Sequence, residues 1–291
     1  MIKALFVDLD GTLLGVTGGH DMVLPPENLE ALRQLVKKEV HVCIASGRGT
    51  EHIFDQINTN YGFLFDIIAN NGMAILCDGK IINERPGYDP AVLMRLAEFL
   101  DDAKEVGLFL TFGGHRHIYL NQKAAGYHKL QEMAKDWRSP NIKEKDIKEF
   151  LSGQDYNDPF KVCLYAGSYP LVIKWLAILD AAFGSEFEIF NTDSRYIEFM
   201  PKGVSKGEAL KQVCAYYNFA LDEVAAVGDA GNDISMLKLT PHSYVMDHAP
   251  DFVKAAAKQE ISNVAEAIAD IMRYNEAEQH KKKTLQSHLV I

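Results

Sequence analysis

Short, largely apolar runs alternate with helical patterns in about the first 70 residues of the chain. The run Ala4–Val7, and similar runs at 40–45 and 66–69, have the length and continuity of strands buried in a parallel sheet. Pro25 and Pro26 introduce one helical pattern, and a second begins soon after the strand-like run at 40–45. Three β-α repeats of this kind predict an α/β fold with a doubly wound parallel sheet, that is, a Rossmann-like core.

The pattern changes after about residue 84. The turn signal Asp78-Gly79 between two apolar runs predicts a hairpin just before this point. Beyond it, longer helical patterns are interleaved with strand-like runs at 107–112, 117–120 and 161–165. This mixture of helical patterns and strand-like runs predicts an α+β insertion with its own antiparallel sheet.

The β-α alternation returns after about residue 190. Ser205 opens a helical pattern, and Glu208 three residues later completes a capping box. Strand-like runs at 224–227 and 243–246 follow. We therefore predict a Rossmann-like core and an inserted α/β domain, with these bounds: residues 1–83 and 189–291 for the core, and residues 84–188 for the insertion.

The charge balance of the 291-residue chain limits the kinds of partner that it is expected to bind. Thirty lysines and arginines against forty aspartates and glutamates give a net charge of -10. Binding to nucleic acid requires clustered cations that displace counterions, so we expect no nucleic-acid partner. The four cysteines form no Cys-x-x-Cys pair, and no apolar run is as long as a signal-peptide core or a membrane span. We therefore predict a cytoplasmic protein with no membrane partner.

The motif Asp8-Leu9-Asp10-Gly11-Thr12 stands directly at the end of the first predicted strand. Ligands of open α/β sheets bind at the carboxyl ends of the strands. Two carboxylates as close as Asp8 and Asp10 repel each other unless a cation or a shared proton offsets the charge. A loop that ends in Gly-Thr also suits a small anion. The motif therefore indicates a ligand site at this strand end.

A second acidic motif, Gly228-Asp229-Ala230-Gly231-Asn232-Asp233, follows the predicted strand at 224–227. Its two carboxylates and one amide are hard oxygen ligands of the kind that Mg²⁺ prefers. Because Mg²⁺ usually takes only one or two protein carboxylates, we expect some of these acids to orient their neighbours instead.

Two further polar groups stand at the ends of predicted elements. Ser46 and Gly47 follow the strand-like run at 40–45, where a hydroxyl and a backbone amide suit a phosphate oxygen. Lys206 lies in the first turn of a helix, where its charge opposes the helix dipole, so an anion nearby is indicated. Taken singly, the first is also typical of an ordinary turn and the second of a solvated lysine.

In their order along the chain, these four motifs resemble those of the haloacid dehalogenase-like phosphohydrolase superfamily. The insertion between the second and third motifs is similar to the large α/β cap of the Cof-type subgroup, and Asn71-Gly72 and the segment 202–207 also resemble that subgroup. The resemblance implies a Mg²⁺-dependent phosphatase that hydrolyses small phosphorylated metabolites, with sugar phosphates favoured, through an aspartyl-phosphate. We expect it to be a monomer or a weak homodimer.

The same resemblance implies roles for residues of the four motifs. The catalytic residues are Asp8 as nucleophile, Asp10 as acid and base, and Lys206. The Mg²⁺ ligands are Asp8, the carbonyl of Asp10, and Asp229. The phosphate is bound by Ser46, Gly47, Lys206 and Asn232. The supporting residues are Gly11, Thr12 and Asp233, the last of which orients Lys206.

The cap of this family closes over the core and contacts the leaving group of the substrate. We expect His115, Arg116 and His117 to act as specificity residues there, and a plain hairpin turn is the alternative for this loop. One departure from the family lies after the strand-like run at 243–246, where Cof-type proteins usually carry Asn-Ala and this chain has His248-Ala249. His248 is compatible with a substrate contact, but we interpret it as a loop residue.

Two other functions are compatible with similar residues. A phosphotransferase of the phosphomannomutase type uses similar acids and a similar cap, and it would release little inorganic phosphate without a bisphosphate activator. A non-catalytic sensor of phosphorylated ligands would usually have lost a catalytic acid, whereas Asp8, Asp10, Lys206 and Asp229 are all present. We therefore expect a phosphatase.

Overall fold

The computed structural model describes residues 1–14, 23–84, 87–112, 117–136, 141–153, 158–159 and 161–288. The chain divides into two compact units, of which the second is inserted into the first. Their bounds are Met1–Glu84 with Lys206–Ile291 for the first unit, and Arg85–Ser205 for the second.

Strands and helices alternate along the described chain. The described residues form fourteen strands, which are, in chain order, β1 (Ala4–Val7), β2 (His41–Ala45), β3 (Asp66–Ala69), β4 (Ala74–Cys77), β5 (Lys80–Glu84), β6 (Gly107–Phe112), β7 (His117–Asn121), β8 (Ile142–Lys145), β9 (Lys161–Tyr165), β10 (Phe187–Asn191), β11 (Tyr196–Pro201), β12 (Val224–Gly228), β13 (His242–Met246) and β14 (Gln259–Ile261). The same residues form ten α-helices, which are α1 (Pro26–Lys37), α2 (Thr50–Ile53), α3 (Pro90–Phe99), α4 (Tyr127–Asp136), α5 (Ile147–Ser152), α6 (Tyr169–Phe183), α7 (Lys206–Tyr217), α8 (Ile234–Leu237), α9 (Asp251–Lys254) and α10 (Val264–His288). None of the helices in this part of the chain has the length and apolar character needed to cross a membrane.

The first unit is built on a sheet that has eight strands in the described residues, in the order β14-β13-β12-β1-β2-β3-β4-β5. The six strands from β14 to β3 pair in parallel, and the hairpin of β4 and β5 is antiparallel. The chain starts in the middle of the sheet, builds one half outward, and later returns to build the other half. This order confirms the predicted doubly wound parallel sheet.

Both faces of the central strands β12, β1 and β2 are buried, which explains why these strands are largely continuous apolar runs. On β1, Leu5 and Val7 belong to a hydrophobic core to which α1 and α10 contribute. Ala4 and Phe6 belong to a second core, to which α7 and α8 contribute. Successive side chains of a strand point to opposite faces, so the one run Ala4–Val7 serves both cores.

The second unit is built on a sheet of six strands in the described residues, in the order β10-β11-β9-β6-β7-β8. Its neighbours pair antiparallel, except for β7 and β8, which are parallel. Helices α3, α5 and α6 contribute to the core on one face, and α4 contributes to the core on the other. The predicted α+β insertion with its own sheet is therefore confirmed.

The predicted bounds of the insertion need one substantial correction. The first boundary lies one residue later than predicted, but the second lies after Ser205 and not after residue 188. Residues 189–205 belong to the second unit, because β11 pairs with β9 of that sheet, with Tyr196 opposite Tyr165. That boundary was wrong because a strand-like pattern does not show which sheet a strand joins.

Candidate active site

Three of the sequence motifs meet at one edge of the core sheet. Strands β12, β1 and β2 are parallel neighbours, so their carboxyl ends lie side by side. Asp229 follows β12, Asp8 follows β1 and Ser46 follows β2. The N–H of Asp8 donates to the carbonyl of Val227 at 2.9 Å, which ties the end of β1 to β12. Ligands of such sheets bind at this edge.

Lys206, the first residue of α7, lies between two carboxylates. Its Nζ donates to Asp8 Oδ1 at 2.5 Å and to Asp233 Oδ1 at 2.7 Å, and its side chain is completely buried. Burial alone would lower the pKa of Lys206, but Asp233 and Asp8 outweigh this effect and raise the pKa above its ordinary value. Lys206 is therefore a buried cation held by two hydrogen-bonded carboxylates.

Asp233 uses both of its carboxylate oxygens, and its side chain is completely buried. While Oδ1 accepts from Lys206, Oδ2 accepts from the backbone N–H groups of Asp229 and Ala230, each at 2.9 Å. Asp233 therefore fixes the lysine and the loop after β12 together. Its bond to Lys206 is the contact that an orienting role requires.

The carboxylates of Asp8, Asp229 and Asp233 form a cluster, in which one oxygen from each lies within 4.8 Å of the others. Burial raises the pKa of Asp8 well above its ordinary value; Lys206 opposes this rise and the neighbouring carboxylates add to it. Burial also raises the pKa of Asp229. Lys206 hydrogen-bonds to two of these three carboxylates, and a divalent cation would balance the remaining negative charge. Asp233 accepts three hydrogen bonds, whereas Asp8 accepts one and Asp229 meets two donors, so Asp8 and Asp229 keep more acceptor positions for Mg²⁺.

The orientation of Asp229 is set by residues on either side of it. Its Oδ1 accepts a hydrogen bond from Thr12 Oγ1 at 2.9 Å. A Cβ atom on Gly11 would lie 2.5 Å from Asp229 Oδ2, and Gly11 has a φ of +81°, where other residues are strained. His248 Nε2 lies 3.3 Å from Asp229 Oδ2. Gly11 and Thr12, both predicted as supporting residues, therefore lie against Asp229.

The side chain of Asp10 is paired with Arg48 instead of joining the carboxylate cluster. Arg48 Nε donates to Asp10 Oδ2 at 2.7 Å, and Nη2 donates to Oδ1 at 2.5 Å. The Asp10 side chain is half exposed. The sequence-based assignment missed Arg48, although its position directly after Ser46-Gly47 at a strand end was a usable signal.

Ser46 and Asn232 are linked through Asn71. The Ser46 carbonyl accepts from the N–H of Asn71 at 3.0 Å, and Asn71 Oδ1 accepts from Asn232 Nδ2 at 3.0 Å. Asn71 has a φ of 55°, which Asn tolerates better than most residues. The sequence indicates Asn71-Gly72 only by its resemblance to the Cof-type subgroup, and the structure adds this bridge between two motifs. Gly47, which directly follows Ser46, is partly exposed.

The predicted specificity residues belong to the second unit. His117 begins β7 and is exposed. His115 and Arg116, with the glycines before them, lie outside the described residues. Their role stays a prediction.

The order of the motifs and this geometry agree with a comparison to known families. A family model described as haloacid dehalogenase-like hydrolase matches residues 5–272. The chain belongs to this family. The family resemblance that the motifs indicated is thereby confirmed, and it extends over both units.

Relatives of this haloacid dehalogenase-like hydrolase are phosphatases. The HMP-PP phosphatase of Serratia proteamaculans (strain 568) is 27% identical over 269 residues, which cover 89% of each chain. The 5-amino-6-(5-phospho-D-ribitylamino)uracil phosphatase YbjI of Escherichia coli (strain K12) is 26% identical over 277 residues, or 93% of this chain and 95% of that protein. The family and these relatives identify the chain as a phosphoric monoester hydrolase.

A solved structure shows the same fold. BT1666 from Bacteroides thetaiotaomicron, from a study of phosphatases of the haloalkanoate enzyme superfamily, superposes with a TM-score of 0.73 at 22% identity. The match covers 93% of this chain and 95% of that one. At this identity the likeness concerns the fold alone.

Proposed function

We propose that the chain hydrolyses small phosphorylated metabolites, with sugar phosphates favoured, using Mg²⁺ and an aspartyl-phosphate formed on Asp8. The observation that carries the proposal is the buried contact of Asp8 with Lys206, beside the Asp229 carboxylate. The names of both relatives refer to small phosphorylated compounds, and one of these bears a phosphoribityl group. We extend this substrate class to the present chain.

Asp8 is placed to act as the nucleophile. One of its oxygens is held by Lys206, so the carboxylate has a fixed direction, and attack by a carboxylate oxygen on phosphorus forms the aspartyl-phosphate. The bond from phosphorus to the leaving oxygen breaks in this step. Asp8, Asp229 and the carbonyl of Asp10 would hold Mg²⁺, whose positive charge would offset the repulsion between nucleophile and phosphate.

Asp10 completes both halves of the reaction. In the first half it gives a proton to the leaving oxygen, and in the second it takes a proton from the water that attacks phosphorus. The bond between phosphorus and Asp8 then breaks, which regenerates the carboxylate and releases inorganic phosphate. Arg48 donates to both oxygens of Asp10 and so restricts its orientation; one of these oxygens must be released before Asp10 can carry the proton that it gives.

The phosphoryl oxygens are bound by donors that the described structure leaves available. An ammonium group has three N–H donors; Lys206 gives two to Asp8 and Asp233, and the third is directed to phosphate. Ser46 Oγ accepts from the N–H of Arg48 at 3.1 Å, so its own hydrogen is free to donate. Gly47 contributes its N–H. Asn232 contributes a second N–H of its amide, and its buried Oδ1, which has no partner in the described residues, suits a substrate hydroxyl or a water molecule.

A cytoplasmic location and a monomeric or weakly dimeric state complete the proposal. All four cysteines are buried and unpaired with each other, as suits a reducing compartment. Sedimentation of the purified chain over a range of concentrations tests the oligomeric state.

Release of inorganic phosphate from a panel of phosphorylated metabolites tests the proposal. We expect turnover with Mg²⁺, no turnover in excess chelator, and no turnover by Asp8→Asn under either condition. Phosphate release that requires a bisphosphate activator would favour a phosphotransferase. Failure to turn over even p-nitrophenyl phosphate would favour a non-catalytic sensor.

A further inference from the structure

His248 occupies the position after β13 where the Cof-type resemblance leads one to expect Asn. Its Nε2 lies 3.3 Å from Asp229 Oδ2, and its side chain is 32% exposed while that of Asp229 is 16% exposed. The other ring nitrogen, Nδ1, is 3.7 Å from Asp247 Oδ1, which is beyond hydrogen-bonding distance. The polar contact that His248 makes in the described structure is therefore the one to Asp229.

The two oxygens of Asp229 receive different donors from different loops. Thr12, in the loop after β1, donates to Oδ1, and His248, in the loop after β13, approaches Oδ2. Because both of its oxygens are held, the Asp229 carboxylate cannot rotate freely about the Cβ–Cγ bond. A carboxylate has about four acceptor positions, so two remain for a further ligand.

We propose that His248 is a positioning residue, whose Nε2–H donates to Asp229 Oδ2 and holds this carboxylate in the orientation that ligates Mg²⁺. This inference rests on the proposed function. Donors that orient a ligand of a metal commonly change metal affinity by about 10- to 100-fold. Because the His248 side chain is one-third exposed, we expect an effect near the lower end of that range.

The length of the side chain decides which replacements of His248 can keep the contact with Asp229. The amide nitrogen of Gln can take a place close to that of histidine Nε2, whereas the amide nitrogen of Asn corresponds to Nδ1 and falls short of Asp229. His248→Gln is thus the conservative variant, and His248→Asn and His248→Ala both remove the contact. A general loss of structure would not sort the three variants in this way.

Calorimetric titration of the full chain with Mg²⁺, without substrate, tests the inference. We expect His248→Ala and His248→Asn to weaken Mg²⁺ binding by about tenfold, and His248→Gln to retain most of the affinity. His128→Ala serves as the control, because His128 is an exposed histidine of the second unit whose contact is with the carbonyl of Ala125. A second readout is phosphatase activity, which His248→Ala should lose at limiting Mg²⁺ and largely regain at saturating Mg²⁺.

The outcomes separate this inference from the function on which it rests. If the wild type binds Mg²⁺ and every variant binds it with the same affinity, the role of His248 is overturned and the Mg²⁺ proposal stands. A Gln variant as weak as the Ala variant also overturns it, because the Nε2 contact would then be irrelevant. If the wild-type chain itself binds no Mg²⁺, the proposed function fails and the inference fails with it.

Discussion

Lys206 and Asp233 form an ion pair in which neither side chain is exposed, with Nζ and Oδ1 2.7 Å apart. The same carboxylate receives the N–H groups of Asp229 and Ala230 on its other oxygen. Asp233 therefore connects the start of α7 to the loop after β12. The position of the cation beside Asp8 and the position of the Asp229 carboxylate depend on one residue that we do not expect to touch the substrate.

Asp233→Asn should destabilise the fold and abolish turnover. The Asn amide must turn its NH₂ group either toward the Lys206 ammonium or toward the N–H groups of Asp229 and Ala230, so one set of donors faces another. Breaking a buried ion pair typically costs about 3–5 kcal/mol. Urea unfolding with and without Mg²⁺ measures the loss. Glu105→Gln is the control, since it breaks an exposed ion pair with Lys174 and should change stability little. A stable, active Asp233→Asn variant would contradict the connecting role.

Gly11→Ala should lose Mg²⁺ affinity and activity, because the new Cβ would lie 2.5 Å from Asp229 Oδ2. Gly79→Ala is the matched control: Gly79 has a φ of +71°, close to the +81° of Gly11, but nothing lies within 4 Å of its Cβ position. Both variants should lose about 1–2 kcal/mol of stability from the left-handed backbone. Only Gly11→Ala should also weaken Mg²⁺ binding in calorimetry. Unchanged Mg²⁺ affinity in that variant would mean that Asp229 is not a ligand.

The sequence predicted those parts of the fold that depend only on residues close together in the chain. A buried parallel strand needs a continuous apolar run, and the run Ala4–Val7 was sufficient to predict β1 and the position of Asp8 at its end. The join of β11 to the second sheet was not predictable, since it depends on pairing with β9 at a distance along the chain.

The same distinction applies to the site. Motif positions placed Asp8, Ser46, Lys206 and Asp229 at element ends, where the structure has them. The pairing of Arg48 with Asp10 and of His248 with Asp229 was missed, because each joins side chains from separate loops that only the strand order brings together. A residue type alone does not indicate which partner it will meet across such a sheet.

Arg48→Gln should slow the hydrolysis of alkyl phosphates more than that of p-nitrophenyl phosphate. Arg48 holds both oxygens of Asp10, and the proton that Asp10 gives matters most for a poor leaving group. We expect kcat/KM for an alkyl phosphate to fall by about tenfold or more, since acid-base catalysis is commonly worth about 10²- to 10⁴-fold.

A double-mutant cycle checks that Arg48 acts through Asp10. In the Asp10→Asn background, Arg48→Gln should add little to the loss already present, because residues that act as a unit are not additive. Additive losses, or equal losses on both classes of substrate, would assign Arg48 to another role.

Asp66, at the start of β3, should make stability fall as pH rises. Burial raises its pKa above the ordinary value of 3.8, although hydrogen bonds from the N–H of Asp78 and from Tyr217 partly oppose this rise. The folded state then binds the proton more tightly than the unfolded state. The stability that this proton contributes is complete below pH 3.8 and is lost as pH rises through the raised pKa.

Asp66→Asn removes this dependence and keeps an acceptor oxygen for both donors. The free energy of unfolding of the wild type, minus that of the variant, should therefore decrease as pH rises above about 4. Urea unfolding at a series of pH values measures it. A difference that stays constant with pH would show that burial does not perturb Asp66. Activity should not change, because Asp66 lies at the amino end of its strand, opposite the site.

Trapping of a phosphorylated enzyme is the most direct test of the central claim that Asp8 is the nucleophile. The Asp10→Asn variant, mixed with Mg²⁺ and p-nitrophenyl phosphate that carries a radiolabelled phosphoryl group, should accumulate label, because the water that hydrolyses the intermediate lacks its base. The label should be released by neutral hydroxylamine, as expected of an acyl phosphate, and should map to the peptide that contains Asp8. The double variant with Asp8→Asn should carry none. Label of equal amount in that double variant, or a label on a peptide without Asp8, would contradict the account.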